Sequence, residues 1–341
     1  YLQDPMMHAV LEGHLRGRVL VDDPANPGAA FVWTGTECAY VAGGEDSSRF
    51  KQALQQLVLA EIIPAAQSGG RDFLSIFSFP ESYAAKLENL FSARVPLRTP
   101  LSTFSFDEER FYARHREPRE RLAGAIRLQR IGAKVLSDPQ NAYLAGEMAA
   151  YWGTIESFLD EGSGYCLLEG DNLVSWCYVQ AYGQGTQTLD IWTAPNHRRR
   201  GLGTLVGAAV IDSSLAEGYS PFWVCDKANV GSRRLAERLG FRYTGEVLLV
   251  DIPFQPYDFY RGLAEHFFMP QGEYRKAAES YERAFSVQEG VAEDYYNAAV
   301  GWASAGEGDR ALEYLQKAVE NGWNDLGRVD SEQAFAPFRG A

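Results

Sequence analysis

Ile191-Trp192-Thr193-Ala194-Pro195-Asn196-His197-Arg198-Arg199-Arg200-Gly201-Leu202-Gly203-Thr204 is the stretch on which the fold turns. Upstream, Thr188 to Thr193 reads as a strand. Downstream, Leu205 to Leu215 carries helical apolar periodicity. The unit is therefore strand, basic glycine-containing turn, helix. A helix start presents unpaired N–H groups and the positive end of the helix dipole, which together attract anions. Gly201 and Gly203 let the backbone approach a ligand without a Cβ in the way. The arginines at 198, 199 and 200 supply charge for phosphate oxygens. A pyrophosphate grip is one reading; a basic surface turn that only caps a helix is the other.

Two phosphate motifs are excluded. A P-loop needs Gly-Lys-Ser/Thr, and no lysine precedes Thr204. The dinucleotide fingerprint needs a third glycine and a later acid, and the third glycine is missing. The segment that follows is more informative. Ser220-Pro221-Phe222-Trp223-Val224-Cys225-Asp226 reads as a strand. In Asn229 to Phe241, Leu235 and Leu239 share a helix face, Asn229 suits an N-cap and Gly240 a C-cap. Val247 to Ile252 is a last strand.

Arg198-x-x-Gly201-x-Gly203 after a strand, then Asn229-x-x-Ser232 and Leu239-Gly240-Phe241, resembles the GNAT superfamily of acyl-CoA-dependent N-acetyltransferases. Ser175-Trp176-Cys177 and Trp223-Val224-Cys225-Asp226 also resemble a bacterial subgroup known simply as GNAT acetyltransferases. The resemblance implies an α/β mixed-sheet acyl-CoA N-acyltransferase fold and acetyl-CoA as co-substrate, with no metal. It implies that the backbone of Arg199, Arg200, Gly201, Leu202, Gly203 and Thr204 holds the CoA pyrophosphate, assisted by the Arg198 and Arg200 side chains. Ile191, Trp192 and Thr193 would pair with the pantetheine arm and polarise the thioester carbonyl. A donor at a developing oxyanion contributes about 3 kcal/mol. Asn229 would touch pantetheine or fix the strand splay, with a plain helix cap as the rival reading and both able to hold together; Ser232 and Arg233 would lie near the phosphate end.

The implied reaction is direct attack of a neutral amine on the thioester. Amines of pKa about 10 are mostly protonated at neutral pH, so a base is useful. Asp190 is the first candidate, with a solvated or salt-bridged strand carboxylate as its rival reading. Glu169, Asp171 and Glu156 follow. One position departs from the superfamily pattern. The tyrosine that many members place one residue after the Leu235 position, to protonate the leaving thiolate, is Ala236 here. Cys225 and Tyr178 are the substitute acids, or the thiolate leaves unassisted, or the site is silent. Two functions are thus expected: an N-acetyltransferase acting on a small-molecule or protein amine, and a catalytically silent CoA-binding interaction module.

Composition narrows the rest. The formal charge of −13 argues against nucleic acid and suits a cationic acceptor. No apolar run reaches the roughly 20 residues of a membrane span. Cys38, Cys166, Cys177 and Cys225 sit in apolar strands without paired spacing, which points to buried thiols and a cytoplasmic setting. No Cys/His spacing resembles a zinc site.

Three blocks are expected among the 341 residues. Residues 1–121 form an N-terminal α/β domain, a degenerate GNAT-like domain by analogy, ending in a charged connector from Asp107. Residues 122–253 hold the acetyltransferase domain, ordered strand, helices, three-strand meander, helix, strand, helix, strand. Residues 254–341 are an all-α helical-repeat segment. There Gly272 to Ala284 aligns with Gly306 to Ala318 at an offset of 34, which resembles the tetratricopeptide repeat. Ala277 and Ala311 are small where helices cross, and Tyr281 and Leu315 fill one packing position. Asp325 to Phe338 would begin a third unit. The repeats would bind a protein partner or mediate self-association.

Overall fold

The computed structural model describes residues 4–44, 46–115 and 126–338. They divide into two compact units. The first takes residues up to Leu90 together with Arg98–Asp251, and the second takes Phe91–Leu97 together with residues from Ile252 onward.

The first unit is built on one mixed sheet. Its first half runs α1 (Pro5–Leu11), β1 (Arg18–Val21), β2 (Ala29–Trp33), β3 (Cys38–Gly43), α2 (Ser48–Leu57), α3 (Ile63–Ser68), β4 (Phe73–Phe79), α4 (Tyr83–Leu90), β5 (Leu97–Ser105) and α5 (Glu108–His115). Its second half runs β6 (Ile126–Arg130), α6 (Ala133–Leu136), α7 (Ala142–Trp152), α8 (Ile155–Glu161), β7 (Gly164–Glu169), β8 (Asn172–Gly183), β9 (Thr186–Thr193), α9 (Leu202–Ala216), β10 (Ser220–Asp226), α10 (Val230–Arg238) and β11 (Arg242–Pro253). The expected meander and the strand–helix alternation after it are present. The expected boundary at 121/122 lies outside the described residues, and the connector read from Asp107 contains α5. Helix α1, which begins at Pro5 behind an Asp4 cap, had no sequence signal strong enough to single it out.

Strand order in the sheet is β1-β2-β3-β4-β11-β5-β10-β9-β8-β7-β6. From β1 and from β7 the two halves repeat one order: three strands, helical segment, strand, helix, strand. They exchange their last strands. β5, from the first half, pairs antiparallel with β10, and β11, from the second, lies beside β4. The halves therefore share one sheet.

Corresponding ladders differ in length. β3 and β4 pair in parallel over five residues, from Cys38↔Ser75 to Ala42↔Phe79. β9 and β10 pair in parallel only at Ser220↔Thr186, Pro221↔Gln187 and Phe222↔Thr188. Beyond Phe222, β10 pairs with β5 through Trp223↔Phe104 to Asp226↔Leu101. Among the described residues the β9–β10 ladder stops there, so the strands part from Leu189 and Trp223 onward.

Helix α9 covers one mouth of this parting. Leu202, Val206, Ala209, Val210 and Ile211 are all buried. Fully burying each large aliphatic contributes about 1.5–3 kcal/mol, which fixes the helix on the sheet. α10 presents Ala236 and Leu239 to a cluster with Trp223, Phe111 and Phe241.

The second unit is helical: α11 (Pro256–Gly262), α12 (Tyr274–Phe285), α13 (Ala292–Ser304), α14 (Gly308–Glu320) and α15 (Leu326–Ser331). Ala277, Ala284, Ala311 and Ala318, at the repeat offset, are buried at helix crossings, and Tyr281 is buried where Leu315 is partly buried. The Arg310 guanidinium lies 3.6 Å over the Trp302 ring and pairs with Glu282. Phe335 and Phe338 pack onto this core, and Phe335 lies 6.2 Å from Tyr296 of α13. Asp325 to Phe338 thus covers the pair before it, and Asp325 caps α15 by accepting from the Arg328 N–H.

Candidate active site

The loop between β9 and α9 is shaped by backbone. A short 3₁₀ turn spans Pro195–His197. Arg199 (φ 62) and Gly201 (φ 83) are left-handed, the second being the N-cap of α9. No side chain caps α9, so its first N–H groups have no side-chain acceptor. This is the arrangement that binds anions. Arg198 Nε donates to the Thr193 carbonyl at 3.2 Å and anchors the loop to β9. Arg200 approaches Glu169 at 3.9 Å, and His197 Nε2 lies 3.1 Å from the same carboxylate. Glu169, expected as a minor base candidate, holds the loop instead. Leu202 is buried, so only its backbone can serve a ligand. A Cβ on Gly203 would lie 3.3 Å from both Leu235 Cδ2 and Thr193 Oγ1. That glycine keeps the space between β9, α9 and α10 open.

The parted strands form the cleft this loop heads. On β9, Leu189 and Ile191 turn to the α9 face and Asp190 to the other. The Ile191 N–H donates to Asp190 Oδ1 at 2.8 Å. Trp192 is half-exposed and stacks on Trp176. On β10, burial pushes the Cys225 thiol up, opposed by hydrogen bonds with Ser232 and Trp223. Asn229 Oδ1 accepts from the Ser232 N–H at 3.0 Å, so the cap reading of Asn229 holds in the structure. Ser232 Oγ accepts from Trp223 Nε1 at 3.1 Å and is tied to β10. Arg233 donates to the Lys227 carbonyl at 3.3 Å. Ala236 is fully buried in the α10 core. A cavity of about 480 Å³ opens beside Phe222, where the ladder ends, between Phe77, Phe79, Thr103 and Val247. It involves none of the residues expected to hold a ligand.

Asp190 faces a cluster of which sequence reasoning singled out only Tyr178. Tyr178 lies opposite it across the β8–β9 ladder. The Tyr178 hydroxyl is buried, has no hydrogen-bond partner among the described residues, and is held far above the usual phenol range by burial. Burial, with the charges of Glu147 and Glu37, pushes the Asp190 carboxyl up to about 6, against the pull of the Ile191 N–H. Glu147 lies on α7 with Tyr143 and Tyr151, one helix face at i, i+4, i+8. Arg71 donates to Glu147 at 2.8 Å and pairs with Glu37 at 3.2 Å. The Tyr151 hydroxyl donates to Glu37. The period-four pattern on α7 was a readable signal. Glu37 and Arg71 carried none, since they reach this site only through the shared sheet. Glu156 is exposed on α8, and Asp171 sits in the β7–β8 turn. Among the described residues no group of three or more His, Cys, Asp or Glu could hold a metal ion.

Comparison with known proteins bears on this geometry. A family model described as GNAT acetyltransferase matches residues 1–248. The uncharacterized N-acetyltransferase YdfB of Bacillus subtilis is 24% identical over 240 residues, 70% of this chain and 87% of that protein. A GCN5-related N-acetyltransferase-like protein from Streptococcus suis superposes with a TM-score of 0.57 at 17% identity, covering 73% of this chain and 93% of that one. That structural likeness extends to the fold. The family model spans both halves of the shared sheet, and on that match the chain belongs to the GNAT acetyltransferase family.

Proposed function

We propose that this chain is an acetyl-CoA-dependent N-acetyltransferase in which an amine attacks the thioester directly. The observation that carries the reading is the parting of β9 and β10 after Phe222, headed by the uncapped start of α9. Acetyl-CoA, when bound, supplies a thioester carbon open to a neutral amine. The N–H groups of Gly201 to Thr204 and the arginines beside them suit its pyrophosphate. The open side of Ile191 to Thr193 suits its pantetheine arm, with the Ile191 N–H aimed for the thioester oxygen once released from Asp190. Asn229 and Arg233 border the same cleft, while Ser232 supports it from β10.

Asp190 takes the proton from the acceptor ammonium. A carboxyl pushed up to about 6 is ionised at neutral pH yet more basic than an ordinary aspartate, as a general base should be. Of the two substitute acids, Cys225 is the better matched. A thiol only raised from the ordinary range can share its proton with a leaving thiolate. A phenol as strongly raised as Tyr178 would give up its proton uphill. The silent-module reading has Ala236 in its favour, but the cluster tuning Asp190 has no purpose in it.

The same strand order in the first half supports reading it as a degenerate relative of the second. Its β3–β4 ladder stays closed over five pairs and its turn carries Asp46 rather than arginines, so it offers no CoA cleft. The C-terminal helices we read as tetratricopeptide-like and suited to a protein partner. Four free cysteines suit the cytoplasm.

Calorimetric titration with CoA tests the site. Gly203→Glu sets a carboxylate against the phosphate nest and should abolish binding; retained affinity would remove the cleft from the account.

A further inference from the structure

Arg71 stands just before β4, in the half that carries no CoA cleft, yet its side chain is mostly buried at the acceptor side of the other half. Its Nη1 donates to Glu147 Oε1 at 2.8 Å, 76 residues away in sequence. Its Nε lies 3.2 Å from Glu37 Oε2, and its guanidinium lies 5.8 Å from the Tyr151 ring centroid. The Tyr151 hydroxyl, on the same face of α7 as Glu147, donates to the other oxygen of Glu37. Two carboxylates are thus held by one cation and one phenol. Glu37 and Arg71 come from the first half, Glu147 and Tyr151 from one face of α7 in the second, and they meet because both halves share a sheet.

We propose that Arg71 is a positioning residue of the transfer site, through which the N-terminal half fixes Glu147 and Glu37 and sets how readily Asp190 holds a proton. This rests on Asp190 as the base. The groups facing Asp190 are Glu147 and Tyr143 from α7, Glu37 from the β2–β3 turn, and Tyr178 from β8. Both glutamates raise the Asp190 carboxyl, and Arg71 is the cation paired with each. Removing Arg71 leaves two unneutralised carboxylates beside the base. It also frees Glu147 to change rotamer, because Arg71 is its hydrogen-bond and ion-pair partner. This gives the first half a role in catalysis although it offers no donor cleft of its own.

The test is a ¹³C NMR titration of the Asp190 carboxyl in the full chain, its signal assigned with Asp190→Asn. Arg71→Gln should move the titration midpoint upward by about half to one pH unit, the size of one nearby charge lost at the protein surface or just beneath it. Glu147→Gln should move it downward by a similar amount. The rising limb of turnover against pH should follow both shifts. A purely structural role would lower stability in both variants without opposite shifts. An unchanged midpoint in folded Arg71→Gln, or shifts of the same sign in the two variants, would overturn the proposal. If Arg71→Gln does not fold, Glu147→Gln decides alone, and an unmoved midpoint there overturns it. The titration needs no turnover. Absence of turnover with every amine therefore counts against the acetyltransferase reading and leaves the Arg71 result to stand or fall by itself.

Discussion

Asp190 accepts, at 2.8 Å, the backbone N–H of Ile191, the residue that follows it on β9. One carboxylate therefore occupies the amide proposed for the thioester oxygen, while itself being the proposed base. Engagement of that amide by a ligand removes a bond that lowers the Asp190 carboxyl, so binding of the donor should make the base stronger.

Asp190→Asn keeps the shape and the acceptor for the Ile191 N–H but removes the proton acceptor. Turnover should fall by about 10²–10⁴, with CoA affinity changed little. Steady-state kinetics beside calorimetry checks both. Loss of CoA binding would show instead that Asp190 shapes the cleft.

The same substitution has a pH-dependent effect on stability. The folded carboxyl titrates at about 6, above its ordinary 3.8. The stability contributed by the protonated form is fully present below about 3.8 and is lost as pH rises through about 6. At pH 7 the buried charge is a burden, so Asp190→Asn should be more stable than the parent by about 2–3 kcal/mol. The gain should vanish near pH 3. Thermal melts across pH check this, and a gain independent of pH would point to packing.

Ala236 occupies the position where a tyrosine acid would stand, but its methyl is fully buried against the α10 core. Ala236→Tyr should overpack that core and lower stability by about 1–3 kcal/mol or more, without raising turnover. A faster enzyme would mean that the ring escapes to the cleft and that a missing hydroxyl limits the rate.

Cys225→Ala should lower turnover modestly, by about tenfold, and leave CoA affinity near that of the parent. Cys225→Ser, which keeps a weaker donor, should fall between the two. Equal rates in all three would assign departure of the thiolate to solvent.

The side proposed for the donor was legible because the residues assigned to it are consecutive. The arginines, Gly201 and Gly203 lie in one turn, and Asn229, Ser232 and Gly240 mark one helix. The side proposed for the acceptor was not. Glu37, Arg71 and Glu147 meet through a strand exchange in which β5 enters beside β10, and pairing between strands more than a hundred residues apart leaves no local periodicity. Tyr143, Glu147 and Tyr151 did carry a helical spacing, but its meaning depended on which face of the sheet α7 covers. Asn229 was legible as a cap, and its side-chain oxygen accepts from the Ser232 N–H.

The most direct measurement is release of free thiol from acetyl-CoA in the presence of a panel of amines, parent beside Gly203→Glu and Asp190→Asn. The account expects amine-dependent release by the parent, none by the first variant and a residual trace by the second. CoA bound by the parent with no release above background for any amine would contradict it.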